Sequence, residues 1–184
     1  FAADLSVRPH NMQQYHVAIS AEAFAAALFA QAGCEVSVQY GANQPGYDLV
    51  VARGDSHALV SVKGSKDGGW GLIQSFKNKG NSYFEAIDLW LKKHSRANLI
   101  FCLVQFKDTQ FGDMPRIYLA KPEEMADYLK ASRGKHGYTS LRERYIWQGG
   151  IAKGSVDTIP EAWCFTIARL EKLMPIDPTT TSAA

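Results

Sequence analysis

The sequence predicts one mixed α/β (α+β) domain, a central mixed β-sheet flanked by helices. Three observations predict it. An alanine-rich run at helical spacing precedes a group of short β-branched strands, a second amphipathic helix follows that group, and the run Leu99 to Val104 is apolar throughout, as a strand covered on both faces must be. With 184 residues, 46% hydrophobic and 21% charged, the chain can bury a real core as one domain. Residues 16–175 are expected to form that domain, 1–15 a loose N-terminal segment and 176–184 a disordered, low-complexity tail.

The elements follow in order. Between His16 and Ala32 the residues Ile19, Phe24, Leu28 and Phe29 recur at mostly helical spacing, and Gly33 stands where a helix would end. Glu35 to Gln39 alternates polar and apolar as a half-buried strand does, and Gly41 to Gly46 is a loop. Residues 47–52 and 57–63 are apolar and β-branched, and the turn residues Arg53-Gly54-Asp55-Ser56 between them predict an antiparallel hairpin. Gly64 to Trp70 is too glycine-rich for a regular element. Residues 82–94 form an amphipathic helix whose Lys92-Lys93-His94 suits the negative end of the helix dipole. The strand at 98–106 and a shorter one at 116–120 come next, and Pro122-Glu123-Glu124 opens a helix to about Ser132. A strand at 144–148 and a helix at 160–173 complete the expectation.

Several classes are excluded or disfavoured. No Gly-x-Gly-x-x-Gly follows a strand and no phosphate-cradling Gly-Lys-Ser/Thr loop occurs, so a doubly wound nucleotide-binding fold is the weaker reading. No run reaches the roughly 18 apolar residues of a membrane span and no leader pattern opens the chain, so a cytoplasmic protein with no membrane partner is expected. Cys34, Cys102 and Cys164 are too far apart, and the five histidines too scattered, for a disulfide framework or a structural zinc site.

The net charge of +2 is unevenly spread. Residues 63–96 hold seven basic side chains against three acidic ones, and residues 130–153 hold six against Glu143 alone. Such segregation suits a polyanion-binding face, and solvated helix and loop surfaces are its alternative. Tyr138, Arg142, Arg144, Tyr145 and Trp147 interleave rings with cations, as a nucleic-acid groove would or as a packed hairpin with a basic rim would.

Two residues of the hairpin carry the chemistry. Asp48 interrupts an apolar strand, where an unpaired carboxylate is costly to bury, and Lys63 closes the adjacent strand. An aspartate able to hold a hard cation beside a lysine able to orient a water is what metal-assisted phosphodiester hydrolysis needs. The bland alternatives are a solvent-facing or loop-capping Asp48 and an ordinary strand-end lysine.

The order of helix, strand, hairpin with Asp48 and Ser61-Val62-Lys63, helix and strand, over about residues 16–120, resembles the PD-(D/E)XK nuclease superfamily, in particular its restriction-endonuclease-like and Holliday-junction-resolvase-like members. The resemblance implies a restriction-endonuclease-like fold and a DNA endonuclease. Its cofactor would be Mg²⁺ or Mn²⁺ held by Asp48 and Glu22, with Glu22, Asp48, Ser61 and Lys63 as the catalytic set. Glu22 matches the acidic residue that many members bring from the first helix, although the helix dipole alone would favour a glutamate there. Ser61 stands where the pattern has a carboxylate, and Tyr47 where it often has proline. Glu85 on the next helix is a candidate replacement ligand. Ser65, Lys66 and Trp70 are expected to contact phosphate or base as hydroxyl, charge and stacking face, with the core as the alternative for Trp70, and Arg142 and Arg144 to bind the nucleic acid. A homodimer would cut two strands by two-fold symmetry. The alternative function is a nucleic-acid-binding or partner-binding module that keeps the fold without the chemistry.

Overall fold

A computed structural model describes residues 12–39 and 46–176. Most of the expected N-terminal segment, most of the Gly41 to Gly46 loop and all but the first residue of the tail lie outside the described residues. The chain runs through α1 (Gln14–Gln31), β1 (Glu35–Val38), β2 (Leu49–Arg53), β3 (Ser56–Ser65), β4 (Gly69–Trp70), α2 (Tyr83–His94), β5 (Leu99–Gln105), β6 (Arg116–Ala120), α3 (Pro122–Lys135), β7 (Leu141–Arg142), β8 (Arg144–Ile146), β9 (Val156–Thr158) and α4 (Ile167–Leu173). Five strands form one mixed sheet in the order β1-β2-β3-β5-β6, in which β3 and β5 are parallel and the other neighbours antiparallel. The mixed α/β class is therefore the observed one. Two two-stranded ribbons, β4 with β7 and β8 with β9, are added to it.

Helix α1 starts at Gln14, inside the segment expected to be loose, and ends where Gly33 adopts a φ of +80° and Cys34 N–H reaches back to the Phe29 carbonyl. Its buried stripe is Val17, Ala21, Ala25 and Phe29, at four-residue spacing, while Ile19 is 64% exposed. Small side chains are needed there because the helix lies directly on Gly64 of β3. A Cβ at Gly64 would come 2.8 Å from both Val17 Cγ1 and the Val17 carbonyl oxygen.

The sheet separates two cores. Leu49, Val51, Val60, Val62 and Cys102 pack with α1 and α4 on one side, and Phe101, Leu103, Trp90 and Leu129 pack with α2 and α3 on the other. Every residue of β5 is buried, as its uninterrupted apolar run requires. Arg169 of α4 is 5% exposed and donates to the Leu119 carbonyl from Nε and Nη2, at 3.1 and 2.9 Å, while Nη2 also meets Glu124 at 2.5 Å. These bonds tie α4 to β6 and to the first turn of α3.

Candidate active site

The hairpin reverses at Gly54 and Asp55, with Arg53 opposite Ser56 and Leu49 opposite Val60, and Asp48 is the residue that precedes β2. Along β3, Ser61 and Lys63 alternate with Val60 and Val62, which face the α1 side, so Ser61 and Lys63 point to the α2 side. Asp48 continues the ladder through its N–H to the Val60 carbonyl, 2.8 Å, and then departs from it: its Oδ2 accepts the Val62 N–H at 2.6 Å. The carboxylate takes the place of a strand carbonyl and is thereby locked in orientation. Lys63 Nζ stands 3.8 Å from the same Oδ2, with the two side chains 42% and 14% exposed. Ser61, two residues before Lys63 on β3, is 3% exposed.

Glu22 of α1 lies near enough to feel both charges. Partial burial raises its pKa, the charge of Asp48 raises it further, and Lys63 opposes both. Two carboxylates from separate elements and one ammonium therefore share a field. His94, at the end of α2, also feels Lys63. Burial lowers its pKa first, a bond between Nδ1 and the Trp90 carbonyl at 2.8 Å works against this, and the charges of Lys93, Lys63 and Arg96 add to the lowering. In sequence His94 read only as the end of a cationic helix terminus. Its nearness to Lys63 depends on how α2 lies on the sheet.

Lys63 borders a cleft of about 470 Å³ whose walls include Gln14 and Val17 of α1 and the segment from Gly64 to Leu72. This cleft lies at the carboxyl end of β3, where open α/β sheets usually receive ligands. A second cleft of about 330 Å³ lies at the other end of the strands, around Asp55, His57, Asn98 and Lys121. It is remote from the Asp48–Lys63 pair.

The predicted nucleic-acid contacts divide. Ser65 is 5% exposed and its hydroxyl is engaged inside the loop, donating to Asp67 Oδ1 at 3.0 Å and accepting from Gly69 N–H at 3.2 Å and Gln105 Nε2 at 3.1 Å. Trp70 is 3% exposed, donates from Nε1 to the Lys63 carbonyl at 2.8 Å and meets Tyr118 edge-on. Its ring belongs to the core and holds the backbone of Lys63, so the stacking role is corrected to a positioning one. Lys66 is exposed and its ammonium meets the Met12 carbonyl beside the start of α1. Glu85 is spent at the head of α2, where its carboxylate accepts the Ser82 N–H at 2.7 Å. That bond lowers its pKa, and the helix start, not the cleft, is its place.

Arg142 and Arg144 lie on β7 and β8. Arg142 faces Gly69 across the small ribbon, so β7 borders the loop that follows Lys63, and its guanidinium lies 5.2 Å from the Tyr145 ring. Arg144 is exposed opposite Thr158. The two basic stretches adjoin: Lys130 of α3 pairs with Asp88 of α2 at 2.6 Å, and Lys77 and Arg133 both lie over Tyr83, at 5.4 and 5.3 Å. No group of three or more His, Cys, Asp and Glu side chains suited to a metal ion occurs among the described residues. No protein-family model and no curated protein matches this sequence. No helix among the described residues is long and apolar enough to cross a membrane.

Proposed function

We propose that the chain is a metal-dependent phosphodiesterase of the PD-(D/E)XK type that binds and cuts DNA, with Asp48, Glu22 and Lys63 as its reacting groups. The observation that carries this reading is the Asp48–Lys63 pair at 3.8 Å, with Glu22 of α1 near enough to feel both charges. The order of helix, hairpin, helix and strand supports it too, as a likeness of architecture.

The donor set fits a hard dication. Two carboxylate oxygens with neither His nor Cys favour Mg²⁺ or Mn²⁺ over zinc or copper, and the repulsion that raises the Glu22 pKa is what a dication at this place would relieve. Asp48 and Glu22 would hold the ion, with water filling its other positions, as Mg²⁺ commonly prefers. Such an ion, when bound, supplies Lewis-acid stabilisation of charge on the phosphoryl oxygens.

The chain's own residues do the rest. Lys63 presents its ammonium to the scissile phosphate, offsets charge that builds up as water attacks phosphorus and the P–O bond breaks, and holds the attacking water by hydrogen bond. Asp48 pairs with that ammonium, and the Val62 N–H keeps Asp48 in place. Trp70 fixes the Lys63 backbone.

Cleavage of labelled DNA with and without Mg²⁺ tests the proposal. Wild type should cut only with the metal, Asp48→Asn should be inactive, and Lys63→Ala should lose roughly 10²- to 10³-fold, the usual cost of removing one charge-stabilising donor. Absence of metal-dependent cutting, or cutting that survives Asp48→Asn, would overturn it. The second reading, a binding module on the same architecture, is favoured by Ser61 in the place of a carboxylate. DNA binding that needs no metal, without cleavage, is its expected outcome.

A further inference from the structure

Beyond the cleft, aromatic rings and cations alternate along the edge of the molecule. Arg142 borders the cleft-side loop: a Cβ at Gly69 would lie 3.1 Å from its Cδ and Nη1. Its guanidinium lies over Tyr145, Tyr145 meets Trp147 at 4.8 Å, and Arg133 spans Trp147 and Tyr83 at 5.9 and 5.3 Å. Lys77 closes the row over Tyr83.

The row is held in place by strained and buried groups. Arg133, Gly134 and Lys135 have φ values of 57°, 64° and 69°, a left-handed run that two non-glycine residues adopt only under local constraint. Asp157 on β9, 8% exposed, supplies that constraint. It accepts the Arg133 N–H at 3.1 Å and the Trp147 indole N–H at 2.9 Å, so one carboxylate fixes both the cation and the ring beside it.

Apart from Asp157, the row has few acids to offset its cations. Glu143, the one acid between residues 130 and 153, is engaged by Arg116 at 2.6 Å and Tyr118 at 2.7 Å. Among the described residues, Arg133, Lys135, Arg142, Arg144 and Lys153 make no ion pair, and Arg142 Nε is buried without a hydrogen-bond partner. Tyr145 is 38% exposed. A ligand that matches such a row carries flat π-faces and negative charges in alternation. A duplex hides its base faces, an acidic peptide has few rings, and an unpaired polynucleotide strand presents both.

We propose that this row is a track for an unpaired nucleic-acid strand leading away from the cleft beside Lys63, so that the substrate is DNA with a single-stranded part. The inference rests on the phosphodiesterase reading for its end point, and binding measured in EDTA separates the two. The probes are a fluorescein-labelled oligothymidylate of about 20 nucleotides and a blunt duplex of equal length, followed by anisotropy. The single strand should bind at least tenfold more tightly than the duplex. Tyr145→Ala and Trp147→Ala should each weaken single-strand binding by roughly 5- to 100-fold, the cost of one stacked base, and leave duplex binding unchanged. Arg133→Gln should lower the slope of log K against log salt by about 0.7. Tyr145 lies at the surface, so its variant keeps the test decisive even if the Trp147 variant unfolds. Equal affinity for both probes, binding to neither, or an unaffected Tyr145→Ala overturns the track. Metal-dependent cleavage without single-strand preference overturns the track alone, and single-strand binding without cleavage overturns the phosphodiesterase reading alone.

Discussion

On the proposed reading, Ser61 of β3, 3% exposed, stands where a third oxygen ligand would complete the site. A carboxylate placed there would be desolvated and would face two others, so Ser61→Glu should unfold at lower temperature than wild type in EDTA. Added Mn²⁺ should reverse that loss and raise the variant's Tm by more than it raises wild type's, because binding to the folded state alone stabilises it. Thermal melts with and without Mn²⁺ decide this; a variant indifferent to Mn²⁺ would remove Ser61 from the site. Glu22 leads to a related expectation. Its folded pKa lies above the ordinary glutamate value, so the folded state holds its proton more tightly than the unfolded chain. The associated stability is present at pH below the ordinary value and is lost as pH rises through the raised one. At neutral pH the ionised Glu22 is therefore a net cost, reduced by solvent screening. Glu22→Gln should raise the metal-free Tm by about 1–2 °C at pH 7 and have no effect near pH 3, while abolishing the stabilisation by Mn²⁺.

At the scale of elements, the site depends on how closely α1 lies on β3. Gly64→Ala would drive a methyl group into the Val17 carbonyl, which is backbone and cannot swing aside, and Ala21 Cβ would be 3.0 Å away. The expected cost is about 1–3 kcal/mol in a denaturant melt, as for other overpacked cores, together with reduced cleavage as Glu22 is carried away from Asp48. The hairpin and α1 were legible in the chain because their signals are local: β-branched runs around Gly54-Asp55, and alanines before Gly33. The face of α1 was less so. Ile19 falls in the sequence's apolar pattern, yet the sheet accepts Ala21 and Ala25, a preference set by Gly64 far along the chain. The helix expected at 160–173 is likewise shortened by a distant partner. Glu161–Trp163 makes only a 3-10 turn; Phe165 N–H then donates to the Ile117 carbonyl at 2.9 Å and Cys164 bridges to Tyr118, so the chain is held against β6 until Thr166 caps α4 through Arg169 N–H. The ribbons β4–β7 and β8–β9, two and three residues long, have no periodicity of their own to betray them.

Across the whole molecule, the sheet brings together residues that the sequence could only nominate. Asp48 and Lys63 were legible as a pair because a tight turn joins their strands. Their convergence with Glu22 depends on the packing of α1. The basic stretches adjoin because α2 and α3 lie on the same side of the sheet, and duplex DNA carrying a single-stranded tail should therefore lose affinity steeply with added salt. Arg144→Ala and Lys153→Ala should each reduce the slope of log K against log salt by about 0.7, as for a contact to the single strand. The central claim, that Glu22 and Asp48 form a metal site beside Lys63, is tested most directly by titrating Mn²⁺ into the protein and following the loss of the free-ion paramagnetic resonance signal. Wild type should take up Mn²⁺ in competition with Mg²⁺, and Asp48→Asn and Glu22→Gln should each weaken that uptake at least tenfold. Uptake unchanged by both substitutions, or none in wild type, would contradict the account.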